Sequence, residues 1–239
     1  SPTVVARMRA GCHAAVPHPE PPPRDFGAYP QKIPDDDWAI AEEMHRCSCR
    51  GGMEFVTNER LIHTVHPWTV VHQGRKVRPC QDLSVGLNLY MPPPPPFGLP
   101  RVKDVRKWVV AGSYFGKGDL SDAFWHVPIA PEDQKWFGVR FPHLVVGPDD
   151  LDRPCCRGLG LSVGDVHPMS GRLARTTRLP FGWSWSPALF SEVTAEIGRI
   201  LREKYGVNTL TYVDDVLVVG SDRADTARGM KILADLLER

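Results

Sequence analysis

No apolar run in this 239-residue chain approaches the roughly 18 to 20 residues needed to span a bilayer. The N-terminus lacks the charged-then-apolar order of a secretory leader. These absences set aside a membrane protein and leave a cytosolic or nuclear setting as the default. A basic excess is also missing: 29 Lys and Arg against 28 Asp and Glu leave a net charge of +1, so the chain as a whole does not announce a nucleic-acid binder. None of the six cysteines (Cys12, Cys47, Cys49, Cys80, Cys155 and Cys156) forms a CxxC pair, which points to reduced thiols rather than disulfides. The stretch HRCSC with His63 and His66 nearby matches no common zinc finger or ribbon spacing. No internal repeat is present.

What is present is an ordinary globular composition, 42% hydrophobic and 24% charged, in a chain long enough to bury a core as one or two domains. Residues 1–34 carry VPHPEPPPR and scattered glycines, a composition that predicts an extended, poorly packed tail or linker. DDDWAIAEEMHR predicts a short helix with acids in its first turn. TVHPWTVVHQGRKVRPCQDL predicts two strands around Gln73-Gly74, and the prolines of MPPPPPFGLP predict a stiff spacer. From Pro142 to Arg178 the pattern dissolves into Gly, Pro, Asp and basic residues, which predicts a long surface insertion.

The strongest helix signal follows. Ser186 stands where a cap belongs, Pro187 suits the first turn, and apolar residues recur on one face until Gly206. TLTYV and VLVV then bracket Asp214 and Asp215 as strand, tight turn and strand, and Ser221 or Asp222 opens a last helix. An Asp-rich turn by itself is bland, because Asp favours turns for its own backbone hydrogen bonds. A second acidic element changes that reading: GDLSDAF puts Asp119 at the end of another apolar strand, with Asp122 and Phe124 just beyond. Two strand ends that bring Asp119 beside Asp214 and Asp215 make a concentrated negative site. Its natural partner is a hard divalent cation with oxygen preference, best Mg²⁺. Two such ions about 3.5 to 4 Å apart can activate an attacking hydroxyl and stabilise a leaving oxygen in phosphoryl transfer.

YVDD at 212–215, DLSDAF at 119–124, LPFGWSWSPALF at 179–190 and RKVRPCQDLSVGLN at 75–88 together resemble the ordered motifs of reverse transcriptases, over roughly residues 60–239. The resemblance implies an α+β right-hand polymerase: fingers at about 55–105 and 128–178, and a palm at about 106–127 and 179–239. The palm would be an antiparallel sheet backed by helices, ferredoxin-like in topology. With only 24 residues after Asp215, a thumb, primer-grip hairpin and any RNase H, integrase or recombinase would belong to a longer polyprotein. The start at Ser1 fits an excised piece.

The same resemblance implies that Asp119, Asp214 and Asp215 are the catalytic carboxylates, with Asp119 and Asp214 the principal ligands for two Mg²⁺ ions and Mn²⁺ a possible substitute. Arg78 would hold the incoming dNTP, with Lys76 or Arg75 a second phosphate contact. Asp122 and Ala123 would border the triphosphate and sugar. Phe124 would be the steric gate, its ring leaving no room for a 2′-hydroxyl. Phe181 and Gly182 would lie by the nucleotide, Gly182 allowing close backbone approach. Tyr212 and Val213 would lie beside the primer end, and Ser186 and Pro187 would start the helix under an RNA or DNA template. Trp183 and Trp185 suit base stacking and core burial equally. Phe181 is similar to retrotransposon enzymes, where retroviral ones carry Gln. DLSVGLN has one residue more than the usual spacing. An RNA-making polymerase and a non-catalytic nucleic-acid-binding fragment stand as the rival readings.

Overall fold

A computed structural model of the chain describes residues 1–31 and 33–238; Lys32 and Arg239, inside the ranges read from sequence, lie outside the described residues. The helices are α1 (Pro2–Ala10), α2 (Pro34–Cys49), α3 (Leu87–Tyr90), α4 (Ser186–Tyr205) and α5 (Arg223–Leu237). The strands are β1 (Arg24–Asp25), β2 (Met53–Phe55), β3 (Thr64–His66), β4 (Trp68–Gln73), β5 (Lys76–Gln81), β6 (Tyr114–Asp119), β7 (Gly138–Arg140), β8 (Leu173–Thr176), β9 (Asn208–Tyr212) and β10 (Asp215–Gly220). The fold is α+β. It divides into two compact units, one of Ser1–Arg7, Pro94–Phe124 and Pro187–Arg239, the other of Met8–Pro93 and Trp125–Ser186. One division falls inside the proline run, where a chain without backbone donors cannot join a sheet.

In the first unit β6, β10 and β9 form an antiparallel sheet in that order. Strand periodicity sends successive side chains to opposite faces. Val216 and Val218 turn to the face packed by α4 and α5, where they join Leu201, Val207 and Leu233 in one core cluster. Gly116 and Gly118 of β6 face the same way: a Cβ at Gly116 would stand 2.7 Å from Met230 Sδ, and one at Gly118 would stand 3.2 Å from Leu233. The opposite face carries Phe115, Lys117, Asp119 and Tyr212, all exposed. Helix α4 ends at Gly206 with φ +63°, the left-handed closure Gly favours. The Asp222 carboxylate caps α5 by accepting from Asp225 N at 2.9 Å.

The second unit holds a mixed five-stranded sheet in the order β1-β3-β7-β8-β2 and the separate β4–β5 hairpin, turned at Gly74-Arg75 with Gly74 at φ +60°. Trp38, Ile40 and Met44 of α2 pack with Val139, Phe141 and Ala174. Each large side chain buried this way stabilises by roughly 1.5 to 3 kcal/mol.

Two expectations are corrected here. Residues 1–34 are not simply extended chain. They carry α1 and β1, and β1 pairs parallel with β3. Cys12 also exchanges backbone hydrogen bonds with Pro128 and Ala130 at 2.8 and 2.9 Å. These attachments are made by peptide groups, which proline-rich composition conceals. Nor is 142–178 a surface insertion throughout. Leu144, Val146, Cys155 and Cys156 enter the core beside α2, and β8 runs between β7 and β2.

Candidate active site

The acidic hairpin is built from a conflict between apolar strands and charged tips. The backbone resolves it by placing Val213 and Asp214 in a two-residue turn between β9 and β10. Val213 takes φ +53°, a left-handed conformation that costs a β-branched residue on the order of 1 to 3 kcal/mol. Asp214 is exposed at the turn, and Asp215 is half-buried as the first residue of β10. Asp119, exposed at the end of β6, is the direct cross-strand partner of Asp215. Leu120 N donates to Asp214 O at 2.9 Å, closing the two strand ends together. All three carboxylates therefore keep access to water, which removes the penalty for burying charge.

Lys117 lies two residues before Asp119, on the same face of β6, and was not singled out from sequence. Its Nζ stands 2.9 Å from Asp215 Oδ1. Its ammonium is held above the usual lysine range, first by the hydrogen bond to Asp215, then by the charge of Asp215 and more weakly by those of Asp119 and Asp214. One cation thus senses all three acids. The three carboxylates are not all within 4.8 Å of one another: among the described residues, only Cys155, Cys156 and His167 gather three possible metal-ligand atoms that closely. Like charges repel, and Lys117 draws Asp215 towards β6. The donor chemistry is nonetheless that of a hard divalent cation, carboxylate oxygens with solvent access.

Beyond Asp119 the chain turns sharply. Asp122 has φ +55°, Ala123 is buried, and the Phe124 ring is 9% exposed, packed edge-to-face on Phe190 with centroids 5.4 Å apart. Tyr212 is 49% exposed and pairs with Asp215 in the β9–β10 register.

The remaining predicted residues belong to the second unit, apart from Pro187, which follows Ser186 in α4. Arg75 occupies the β4–β5 turn, and Lys76 and Arg78 are exposed on β5, where Arg78 donates to the side chain of Gln73. In the LPFGW segment Phe181 is exposed. Gly182 has φ +101°, and a Cβ there would stand 1.9 Å from the Gln81 carbonyl. The close approach at Gly182 is therefore to the protein's own backbone. Trp183 is 2% exposed, donates to Met91 Sδ at 3.1 Å and packs edge-to-face on Phe137; it is a core residue, and its buried ring offers no face for base stacking. Ser186 is buried and its hydroxyl donates to the Pro180 carbonyl at 2.8 Å instead of serving as a simple cap. Asn88, also not singled out, clasps the segment: its amide donates to Gly182 O at 2.9 Å and accepts from Ser184 N at 3.0 Å. Its signal was its place at the end of DLSVGLN.

A small antiparallel sheet thus carries helices on one face and acids at adjoining strand ends on the other, and comparison with known proteins gives the family. The reverse transcriptase (RNA-dependent DNA polymerase) family matches residues 96–239. The Gag-Pro-Pol polyprotein of Human T-cell leukemia virus 2 is 24% identical over 210 residues, which is 83% of this chain and 12% of that one. The Pol polyprotein of Feline endogenous virus ECE1 is 30% identical over 165 residues, which is 66% of this chain and 13% of that one. A foamy viral protease-reverse transcriptase, solved in complex with double-stranded DNA, shares the fold with a TM-score of 0.63 at 19% identity, over 94% of this chain and 32% of its own. The chain belongs to the reverse transcriptase family and spans about an eighth of the length of the polyproteins it matches.

Proposed function

We propose that this chain is the fingers and palm part of an RNA-directed DNA polymerase, adding dNTPs to a primer 3′-OH on an RNA or DNA template. The observation that carries the reading is the direct pairing of Asp119 with Asp215 across β6 and β10, with Asp214 at the adjoining turn. In this reading the sheet β6-β10-β9 with α4 and α5 is the palm, and most of the second unit is the fingers.

Asp119 and Asp214 would hold two Mg²⁺ ions, with Asp215 the third carboxylate; Mn²⁺ would substitute. Bound there, the ions supply activation of the primer hydroxyl and neutralisation of charge on the departing pyrophosphate. The chain's own groups bind and orient. Arg78, with Lys76 or Arg75, pairs with triphosphate oxygens. Asp122 and Ala123 border the nucleotide, and Phe181 and Gly182 flank it. Phe124, braced by Phe190, bounds the space that a ribose 2′-hydroxyl would need. Tyr212 and Val213 support the primer end, and Ser186 and Pro187 begin the helix beneath the template.

The test is primer extension on an RNA template with Mg²⁺, offering dNTPs or rNTPs, by this chain and by a longer one carrying the sequence that follows it. Extension with dNTPs that falls at least about a thousandfold in Asp214→Asn supports the reading. A folded protein that extends in neither form, or extends with rNTPs alone, defeats it.

A further inference from the structure

The turn-rich segment from Gly147 to Arg172 has neither helix nor strand, yet three of its side chains, Cys155, Cys156 and His167, are 2–4% exposed. Possible ligand atoms of these three lie within 4.8 Å of one another. We propose that Cys155, Cys156 and His167 supply three ligands of a Zn²⁺ site that staples this segment to α2 and the sheet, with water in the fourth position.

Three observations support it. The first is ligand type and spacing: two thiolates and an imidazole are a common zinc donor set. Zn–S bonds of about 2.3 Å at tetrahedral angles put ligand sulfurs about 3.8 Å apart, so the cluster needs an inward movement of an ångström or less. The second is the histidine's orientation. His167 Nε2 makes its hydrogen bond with the Cys155 carbonyl at 3.1 Å, and Nδ1 accepts one from Met169 N at 3.2 Å, which a metal on Nδ1 would displace. A zinc-bound imidazole characteristically donates its other ring N–H to a carbonyl or carboxylate, which fixes the tautomer. In the proposed site Nδ1 is the ligating atom and the bond from Nε2 to the Cys155 carbonyl fills that role. The third is rigidity: the ring is stacked on Phe141 at 4.9 Å and meets Trp38 edge-on, so the ligand is held before any metal arrives.

Glu42 and Asp150 are near enough to raise the Cys156 thiol and Arg153 to lower it, and both carboxylates are anchored by Arg153 at 3.1 and 2.6 Å. Burial is the main reason that Cys155 is pushed up to about 12 and that Cys156 also lies above its ordinary value. Binding therefore expels two protons to solvent as two S–Zn bonds form, and affinity rises with pH. The other Cys–His contact, Cys49 Sγ to His45 Nε2 at 3.7 Å, is exposed and has two members only.

The test uses the full chain, reduced and stripped by chelator, titrated with Co²⁺ while the thiolate-to-cobalt charge-transfer band is recorded, and then with Zn²⁺ in competition. One equivalent with a strong thiolate band is expected, unchanged in Cys49→Ser. Affinity should weaken at least about tenfold in Cys156→Ser and in His167→Ala. No thiolate band, or a band that survives the Cys155→Ser/Cys156→Ser pair, overturns the proposal. X-ray absorption on the zinc-loaded unmodified chain gives an answer that does not depend on the folding of that pair: two sulfurs at about 2.3 Å support the site, and a shell of oxygen and nitrogen alone overturns it.

Discussion

Lys117 reaches from β6 to Asp215 on β10 with Nζ 2.9 Å from Oδ1, placing a fixed positive charge among the three carboxylates. In the proposed reaction a divalent ion at Asp215 would compete with this ammonium for the same oxygen. Lys117→Ala should lower the Mg²⁺ concentration for half-maximal extension by about two- to fivefold, the range expected for an exposed ion pair. Both groups keep contact with water, so the melting temperature should not change. A magnesium titration of extension rate checks it.

Phe124 packs on Phe190 while sitting five residues after Asp119. Phe124→Val should reduce discrimination against rNTPs at least about tenfold and, because the ring is buried, cost on the order of 2 kcal/mol of stability. Relative kcat/KM for dNTP and rNTP, with a denaturant melt, measures both.

Gly182→Ala should destabilise the second unit by about 3 kcal/mol or more, since its φ of +101° is joined by a Cβ position 1.9 Å from the Gln81 carbonyl. Asn88→Ala should cost about 1 to 3 kcal/mol by orphaning Gly182 O and Ser184 N. Urea unfolding of each variant separates the two effects.

His66 is buried, with Nε2 on the Trp136 carbonyl at 2.9 Å and Nδ1 among the buried atoms without a hydrogen-bond partner. Burial lowers its pKa to about 4. Its folded value lies below its unfolded one, so the stability it confers is fully present above about pH 6.5 and is lost as pH falls through about 4. The loss amounts to about 3 kcal/mol. His66→Gln should flatten this part of a stability-against-pH curve.

The helix over 186–205 and the hairpin over 208–220 were legible because their apolar periods, 3.6 and 2, are set by side chains that face a core. Asp119 and the Asp214-Asp215 pair were legible as strand-end acids, although sequence could not say that Asp215, not Asp214, sits opposite Asp119. That choice depends on which residues enter the turn, and Val213 enters it against its own preference. Lys117 was overlooked because a lone lysine between glycines reads as solvated surface. The attachment of residues 1–34 escaped because peptide groups and long-range ion pairs such as Glu20–Lys135 carry it, and the inward turn of Cys155, Cys156 and His167 escaped because no periodicity marks a coil that folds around polar side chains.

Gly116 and Gly118 alternate along β6 with Lys117 and Asp119. The bare backbone at the two glycines lets Met230 and Leu233 of α5 rest directly on the strand, with no cushion of side chain to absorb a change. Enlarging either glycine, or bulking up Met230, would push the strand forward as a stiff board and shift the acid on its far side. Variation in the last helix is thereby transmitted to the position of Asp119.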